Sequence, residues 1–240
     1  AYNTAVGYQA GLSVTTGTQN VLIGGLAGDA ITTGDNNVAL GHEALTANTV
    51  GDRSTALGNF SLKSQNPATN TDMYNVAIGH NAGGDVTTGI FNTITGGLAG
   101  DALTVGTRNV AVGKDALTSD TKGSRSTALG FATLFSQNFT TATNAYNVAV
   151  GEQAGLNITT GVQNVLIGAL AGDALTDADF NIAIGHTALG LDTLGSRNIA
   201  IGHSALDAQN FTTATNSYNV AVGHAAGTGV TTGVRNSMLG

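Results

Sequence analysis

The chain has 240 residues, a net charge of −7, 35 glycines, one proline, no cysteine and 5% aromatic residues. The negative charge argues against nucleic acid or an anionic membrane as a partner, and the lack of cysteine excludes disulfides and thiolate metal sites. No stretch approaches the roughly 18 apolar residues of a membrane helix, so no membrane insertion is expected in this segment.

One motif, Asn-x-Ala-Val/Ile/Leu-Gly with small variations, recurs fourteen times at intervals of 17, 17, 17 and 21 residues. The copies begin at Asn3, Asn20, Asn37, Ser54, Asn75, Asn92, Asn109, Ser126, Asn147, Asn164, Asn181, Asn198, Asn219 and Asn236. A short fixed period is the sequence mark of a solenoid, whose units bury their apolar faces only by stacking. We therefore predict one repetitive segment, 1–240, with super-repeats 3–74, 75–146 and 147–218, a partial super-repeat 219–240, and a longer fibre protein around it.

The coil that starts at Asn75 shows what one unit does, with the motif Asn counted as position 1. Val76 and Ile78 share one face of a short strand, Ala77 takes the other, and Gly79 at position 5 ends the strand. Position 5 is glycine in every copy, which indicates a corner with positive φ or a close approach to the next coil. These corner glycines are Gly7, Gly24, Gly41, Gly58, Gly79, Gly96, Gly113, Gly130, Gly151, Gly168, Gly185, Gly202, Gly223 and Gly240.

A second glycine recurs at position 15, and two corners per coil predict a flattened parallel β-solenoid. Position 1 is Asn in 12 of 14 copies and Ser in the other two. Stacking would place these amides above one another in a hydrogen-bonded ladder, although a single Asn could equally be an ordinary turn residue.

Position 3 is Ala in most coils but a large apolar residue in the second coil of each block, namely Leu22, Ile94, Leu166 and Met238. Both faces of the strand are thus apolar, as in a strand buried on both sides. We expect one face to fill the coil and the position 3 column to contact identical chains. The alternative is a coil wide enough to bury both faces internally.

All five histidines, His42, His80, His186, His203 and His224, occupy position 6. Exposed corner residues are the favoured interpretation, and metal ligation is the alternative. All five arginines and four of the five tyrosines immediately precede a motif, at position 17 of the short coils or the equivalent position 21 of the long ones, which together we call the position 17 column. Planar side chains in this column should pack on one another, with a sugar- or receptor-binding stripe as the functional alternative.

Each 21-residue coil carries a four-residue insertion rich in Thr and Asn. Insertions in solenoids project as loops and often bind partners, so we expect Phe139, Thr140, Phe211 and Thr212 to be exposed on candidate binding loops. No nucleophile elbow, zinc-protease motif, Walker loop or calcium nonapeptide is present. The sequence therefore predicts no catalytic residue, no cofactor and no metal site.

Two segments, NTAVGYQAG at 3–11 and NIAIGHTAL at 181–189, resemble the head repeats of YadA-like trimeric autotransporter adhesins. They equally resemble the repeats of phage tail-fibre proteins that end in an intramolecular chaperone, and the resemblance covers the whole chain. It implies a left-handed parallel β-roll and a homotrimer, intertwined or side by side. It also implies a location outside the cell or on a virion, and attachment to a surface receptor or glycan.

The first functional hypothesis is therefore a non-enzymatic structural and adhesive fibre. An ice-binding solenoid is a second hypothesis, suggested by the Thr pairs at 15–16, 32–33, 87–88, 159–160 and 231–232. A glycan-binding or glycan-cleaving β-helix is a third, although no cluster of acids and bases is recognisable.

Overall fold

The computed structural model describes residues 2–240 and confirms an all-β parallel solenoid of fourteen coils, with no helix in those residues. Ala1, the first residue of the predicted segment, lies outside the described residues. The strands are β1 (Thr4–Val6), β2 (Val21–Ile23), β3 (Val38–Leu40), β4 (Gly51–Asp52), β5 (Thr55–Leu57), β6 (Thr71–Asp72), β7 (Val76–Ile78), β8 (Thr93–Thr95), β9 (Val110–Val112), β10 (Gly123–Ser124), β11 (Thr127–Leu129), β12 (Thr143–Asn144), β13 (Val148–Val150), β14 (Val165–Ile167), β15 (Ile182–Ile184), β16 (Gly195–Ser196), β17 (Ile199–Ile201), β18 (Thr215–Asn216), β19 (Val220–Val222) and β20 (Ser237–Leu239).

Fourteen of these strands form one parallel sheet in the order β1-β2-β3-β5-β7-β8-β9-β11-β13-β14-β15-β17-β19-β20. Each motif pairs with the same position of the next, so that Ala39 faces Ala56 and Ala56 faces Ala77 despite the 21-residue interval. The three remaining pairs, β4 with β6, β10 with β12 and β16 with β18, brace the insertions. At the usual strand spacing the long sheet extends about 62 Å.

The interior is narrow and is filled by columns at positions 3, 8, 9 and 12. Position 3 and position 8 are mostly alanines with no solvent exposure, such as Ala77 and Ala82. Where position 9 is glycine, position 12 is aliphatic, as in Gly28 and Ile31. Where position 9 is leucine, position 12 is a buried polar residue, as in Leu117 and Asp120. A small residue at position 9 is therefore matched by an aliphatic one at position 12, and a leucine at position 9 by a polar one, which keeps the interior close-packed along the solenoid.

The corner glycines are required twice over, by backbone conformation and by space. Their φ values lie between 130° and 141°, a region that residues with a side chain rarely adopt. A Cβ added to any of them except Gly240 would lie 2.2–2.7 Å from the nearest atom of the next corner glycine. Successive coils therefore approach as closely as backbones can at this corner.

Three further turns in each coil use left-handed backbone without requiring glycine. In the third coil these are Glu43, Leu45 and Arg53, at positions 7, 9 and 17, with φ of 55°, 54° and 59°. The residue type varies at positions 7 and 17, and position 9 is leucine or glycine, so no single residue type marks these turns in the sequence. Each non-glycine residue there costs of order 1 kcal/mol, which the packing of the coils must offset.

The motif asparagines form the predicted ladder. The Oδ1 atom of Asn75 accepts the backbone N–H of Asn92 at 2.9 Å, and Asn92 does the same for Asn109 at 3.0 Å. In the 17-residue coils the Nδ2 atom also closes its own coil, as when Asn92 donates to the carbonyl of Gly106 at 2.9 Å. These side chains are fully buried, so the ladder supplies partners to backbone groups that water cannot reach.

The first prediction compares two adjacent glycines. Gly96→Ala should lower the free energy of unfolding by about 2 kcal/mol or more, because φ is 140° and the new Cβ would lie 2.4 Å from the carbonyl oxygen of Gly113. Gly97→Ala is the matched control, since a Cβ there meets nothing within 4 Å. Chemical denaturation followed by circular dichroism measures both, and equal stability of the two variants would contradict the assignment.

The second prediction removes one rung of the ladder. Asn92→Ala leaves the N–H of Asn109 and the carbonyl of Gly106 buried without a partner, so unfolding should become easier by at least about 2 kcal/mol. Asn157→Ala, at an exposed asparagine outside the ladder, should change stability little. A loss as large for Asn157→Ala as for Asn92→Ala, in the same denaturation experiment, would refute the role given to the ladder.

Candidate interaction surfaces

The outer sheet face, which we define as positions 2 and 4 of the fourteen long-sheet strands, points away from the interior. Val38, Leu40, Leu57 and Leu129 are 37%, 43%, 38% and 44% exposed there. The face contains only Val, Ile, Leu, Thr and Ser, and no charged residue. It is thus a continuous uncharged stripe of partly exposed apolar side chains, a feature that marks interaction surfaces.

The prediction that the position 3 residues contact other chains is wrong, because position 3 faces the interior of the coil and positions 2 and 4 face outward. Leu22, Ile94 and Leu166 are 1%, 0% and 0% exposed and belong to the chain's own core, and Met238 packs against that core while partly buried. Leu22 fits between two position 9 glycines, since a Cβ on Gly11 or Gly28 would lie within 2.8 Å of its methyl groups. The narrow interior accepts alanine and an occasional large residue, whereas the β-branched pair faces outward.

The insertion loops also differ from expectation. Phe139 and Phe211 are only 5% and 6% exposed, because each folds back onto the solenoid instead of projecting from it. Thr140 and Thr212 are exposed, as expected for the loop tips. The part of each insertion available to a partner is therefore a short polar tip, Thr140 to Ala142 in the second block.

A buried aspartate holds each of these phenylalanines in place. Asp120 Oδ1 accepts the backbone N–H groups of Gly123 at 2.9 Å and Phe139 at 3.1 Å, while Oδ2 accepts the Gln137 amide at 2.6 Å. Asp192 makes the equivalent bonds in the third block. Burial raises the pKa of Asp120, and the hydrogen bonds oppose that shift.

The first block has Asn48 in place of the aspartate and Pro67 in place of the phenylalanine. Proline has no N–H to donate, and Asn48 instead bonds both backbone groups of Gly51, at 2.9 and 3.1 Å. The residues at these two positions are thus coupled. An aspartate occurs where the phenylalanine supplies a second backbone N–H that needs an acceptor, and an asparagine occurs where proline supplies none.

The position 17 column is a stack of planar side chains along one edge of the solenoid. Phe91 lies between Tyr74, with ring centroids 5.8 Å apart and 14° between planes, and Arg108, whose Cζ atom is 5.3 Å from the ring centroid. Arg125 covers Tyr146, and Arg197 covers Phe180, in the same way. Because Phe91 has both ring faces covered, this geometry favours packing over sugar stacking, which needs a free face.

The position 6 column places three histidines in successive coils. His186 and His203 have ring centroids 5.2 Å apart, and His203 and His224 have theirs 5.1 Å apart. His42 and His80 are instead separated by Phe60, which meets both edge-on. All five rings are exposed. The 17-residue interval predicted that His186 and His203 are neighbours. The structure shows that His224 neighbours His203 as well, because the insertion between them leaves the strand register unchanged.

In four of the five Thr pairs that suggested ice binding, the hydroxyl of the first threonine is used within the fold. Thr15, Thr32, Thr87 and Thr159, at position 13, each donate a side-chain hydroxyl to the carbonyl of the residue that stacks on them, at 3.0–3.3 Å. Hydroxyl protons used in this way are not available to order surface water.

The recurring aspartates at position 10 do not share one environment. Asp29 accepts the hydroxyl of Thr46 at 2.5 Å. In the third block Gly190 stands between Asp173 and Asp207, and a Cβ added to it would lie 3.5 Å and 3.0 Å from their Oδ1 atoms. Burial raises the pKa of Asp173, and the Asp207 carboxylate adds to that rise.

Residues 2–240 contain no ligand-sized pocket. They also contain no helix able to cross a bilayer. Comparison with protein-family models, with curated proteins and with solved structures found no significant match. Function is therefore inferred from the chain's own surfaces.

The third prediction tests the coupling of the aspartate to the phenylalanine. Asn48→Asp should destabilise the first block by about 3 kcal/mol, because the carboxylate is buried beside the Gly51 carbonyl with only one backbone N–H donor, where Asp120 has two. Adding Pro67→Phe restores the second donor and should recover part of that loss. Chemical denaturation of both variants provides the measurement, and a double variant less stable than Asn48→Asp would show that the two positions are not coupled.

Proposed function

We propose that this chain is a segment of a non-enzymatic structural and adhesive fibre, in which identical chains pack through the outer sheet face. The observation that carries the proposal is the length of that face, which runs uncharged and half-exposed along all fourteen strands. The resemblance of the chain's repeats to those of adhesin heads and tail fibres supports three chains in the assembly and a location on a cell surface or a virion.

The area of the face supports self-association over a solitary chain. A sheet about 62 Å long and about 10 Å wide presents about 600 Å², the upper limit for the largest apolar patch of a typical monomer. Covering such a face on two chains buries about 1,200 Å², the lower end of the range for stable interfaces. An apolar area of this size suits a specific interface, whose affinity then depends on how closely the two faces pack.

An identical chain is the occupant that best matches the chemistry of the face. The face offers shape and apolar surface but no charge with which to select a different partner, and flat β-branched surfaces complement one another. Symmetric packing of identical chains also keeps the repeats of all chains in step, so that equivalent loops lie at the same height.

The insertion loops are then the elements that meet the target. One occurs in every 72-residue block, so the tips recur about every 19 Å along the rod at the usual strand spacing. Their Thr- and Asn-rich tips present hydroxyls and amides, which suit hydrogen bonding to a glycan or to a polar protein surface. Repetition along a rigid rod would multiply a weak single contact into strong attachment.

The fourth prediction concerns the assembly in solution. Light scattering coupled to size-exclusion chromatography should give about three times the 23.8 kDa chain mass. The double variant Leu40→Glu and Leu129→Glu should be monomeric, because it places unpaired carboxylates on the third and eighth strands of the face that the assembly would bury, while circular dichroism stays unchanged.

Thr88→Glu is the matched control, since Thr88 is exposed on another side of the coil and its charge should leave the assembly intact. A wild-type chain that remains monomeric at high concentration would contradict the proposed packing. A stable dimer would keep the face as the interface and exclude three chains.

A further inference from the structure

The histidine triplet, His186, His203 and His224, is a surface feature that the fold does not require. Its rings are exposed, and none of them makes a hydrogen bond or an ion pair within residues 2–240. The rings are nearly parallel, with 17° between the first pair of planes and 9° between the second. Three imidazoles with unused nitrogens therefore stand in line on a rigid scaffold.

We infer that the histidine triplet binds a divalent transition-metal ion of the borderline class, such as Ni²⁺, Cu²⁺ or Zn²⁺, between adjacent imidazoles. Neutral imidazole is a preferred ligand of these ions, which rank high in affinity for nitrogen sites. No group of three metal-binding side chains converges on one point in residues 2–240, so two imidazoles hold the ion and water completes its coordination.

The spacing of the rings sets how much adjustment binding needs. With metal–nitrogen distances of about 2.1 Å, the two nitrogens can be at most about 4.2 Å apart. The rings stack nearly parallel with centroids 5.2 and 5.1 Å apart, and imidazole lone pairs lie in the ring plane, so each ring has to rotate about its side-chain bonds until the two nitrogens point at one ion. Exposed side chains reorient easily, whereas the strand ladder fixes the Cα atoms beneath them.

Both adjacent pairs use His203, which limits the triplet to one ion held between two imidazoles at a time. The same sharing makes His203 the residue on which binding depends. Removing His186 or His224 leaves one pair, but removing His203 leaves two imidazoles separated by a whole coil, about 10 Å at the usual strand spacing.

The remaining histidines provide an internal control. Phe60 lies between His42 and His80, with ring centroids 5.5 Å and 5.7 Å away, and meets both at nearly a right angle. Neither histidine therefore has a neighbouring imidazole, although both occupy the same position of the coil and are equally exposed.

The fifth prediction is tested on the untagged chain with Ni²⁺ alone, by isothermal titration calorimetry and by retention on immobilised Ni²⁺, at mildly alkaline pH. The wild-type chain should bind one ion. His203→Gln should weaken binding by about tenfold or more, the loss typical of disturbing even an outer-shell partner of a metal. His224→Gln and His42→Gln should bind nearly as well as the wild type.

A second variant keeps the test independent of any single substitution. His186→Gln combined with His224→Gln leaves His203 alone and should bind as weakly as His203→Gln. Circular dichroism confirms that each variant is folded. Failure of the wild-type chain to bind, or equal loss in His42→Gln and His203→Gln, would overturn the inference. It does not depend on the proposed assembly, because the three rings belong to one chain.

Discussion

The close approach of successive coils at the corner glycines is the constraint on which the rest of the structure depends. With no Cβ between them, the backbones of Gly96 and Gly113 come into contact, and every strand pairs in the same register with the next. A constant register turns each position of the coil into a column. The asparagine ladder, the interior alanines and the position 17 stack all follow from that alignment.

The interior stays filled because residue sizes at positions 3, 9 and 12 compensate one another within each coil. The second coil of the second block combines Gly100 with Leu103 and the large Ile94, whereas the third combines Leu117 with the buried polar residue Asp120. The leucine in left-handed backbone is tolerated because its side chain fills space that the shorter polar residue leaves. The polar residue is satisfied by backbone N–H groups and by Gln137, so the interior contains a carboxyl group without unpaired polar atoms.

Some of the exposed side chains stabilise the solenoid by contacting neighbouring coils, and others have no partner within the part of the chain that the structure describes. Arginines and aromatic rings of the position 17 column cover one another, and the position 13 threonines bond the next coil, so these columns stabilise the rod. The outer sheet face, the loop tips and the histidine triplet keep free surface or free ligand atoms. Through these places, we propose, the rod packs against identical chains, attaches to its target and binds a metal ion, respectively.

The sequence by itself determined the period, the parallel solenoid, the corner glycines and the asparagine column, because each depends on one residue type that recurs at fixed spacing. It could not decide which face of the strand is inside. Val76 and Ile78 on one side and Ala77 on the other are all apolar, and an alternating pattern assigns faces only when one of them is polar.

The tertiary structure decided that question through volume. At position 3 the interior accepts alanine, or a large residue such as Leu22 or Ile94 where position 9 is glycine, so the β-branched pair of the strand had to face outward. The tertiary structure also decided that Phe139 folds inward, because the carboxylate of Asp120, in the preceding coil, accepts the backbone N–H of Phe139. Contacts between residues 17 to 21 apart exist only once the coils are stacked, and no local pattern records them.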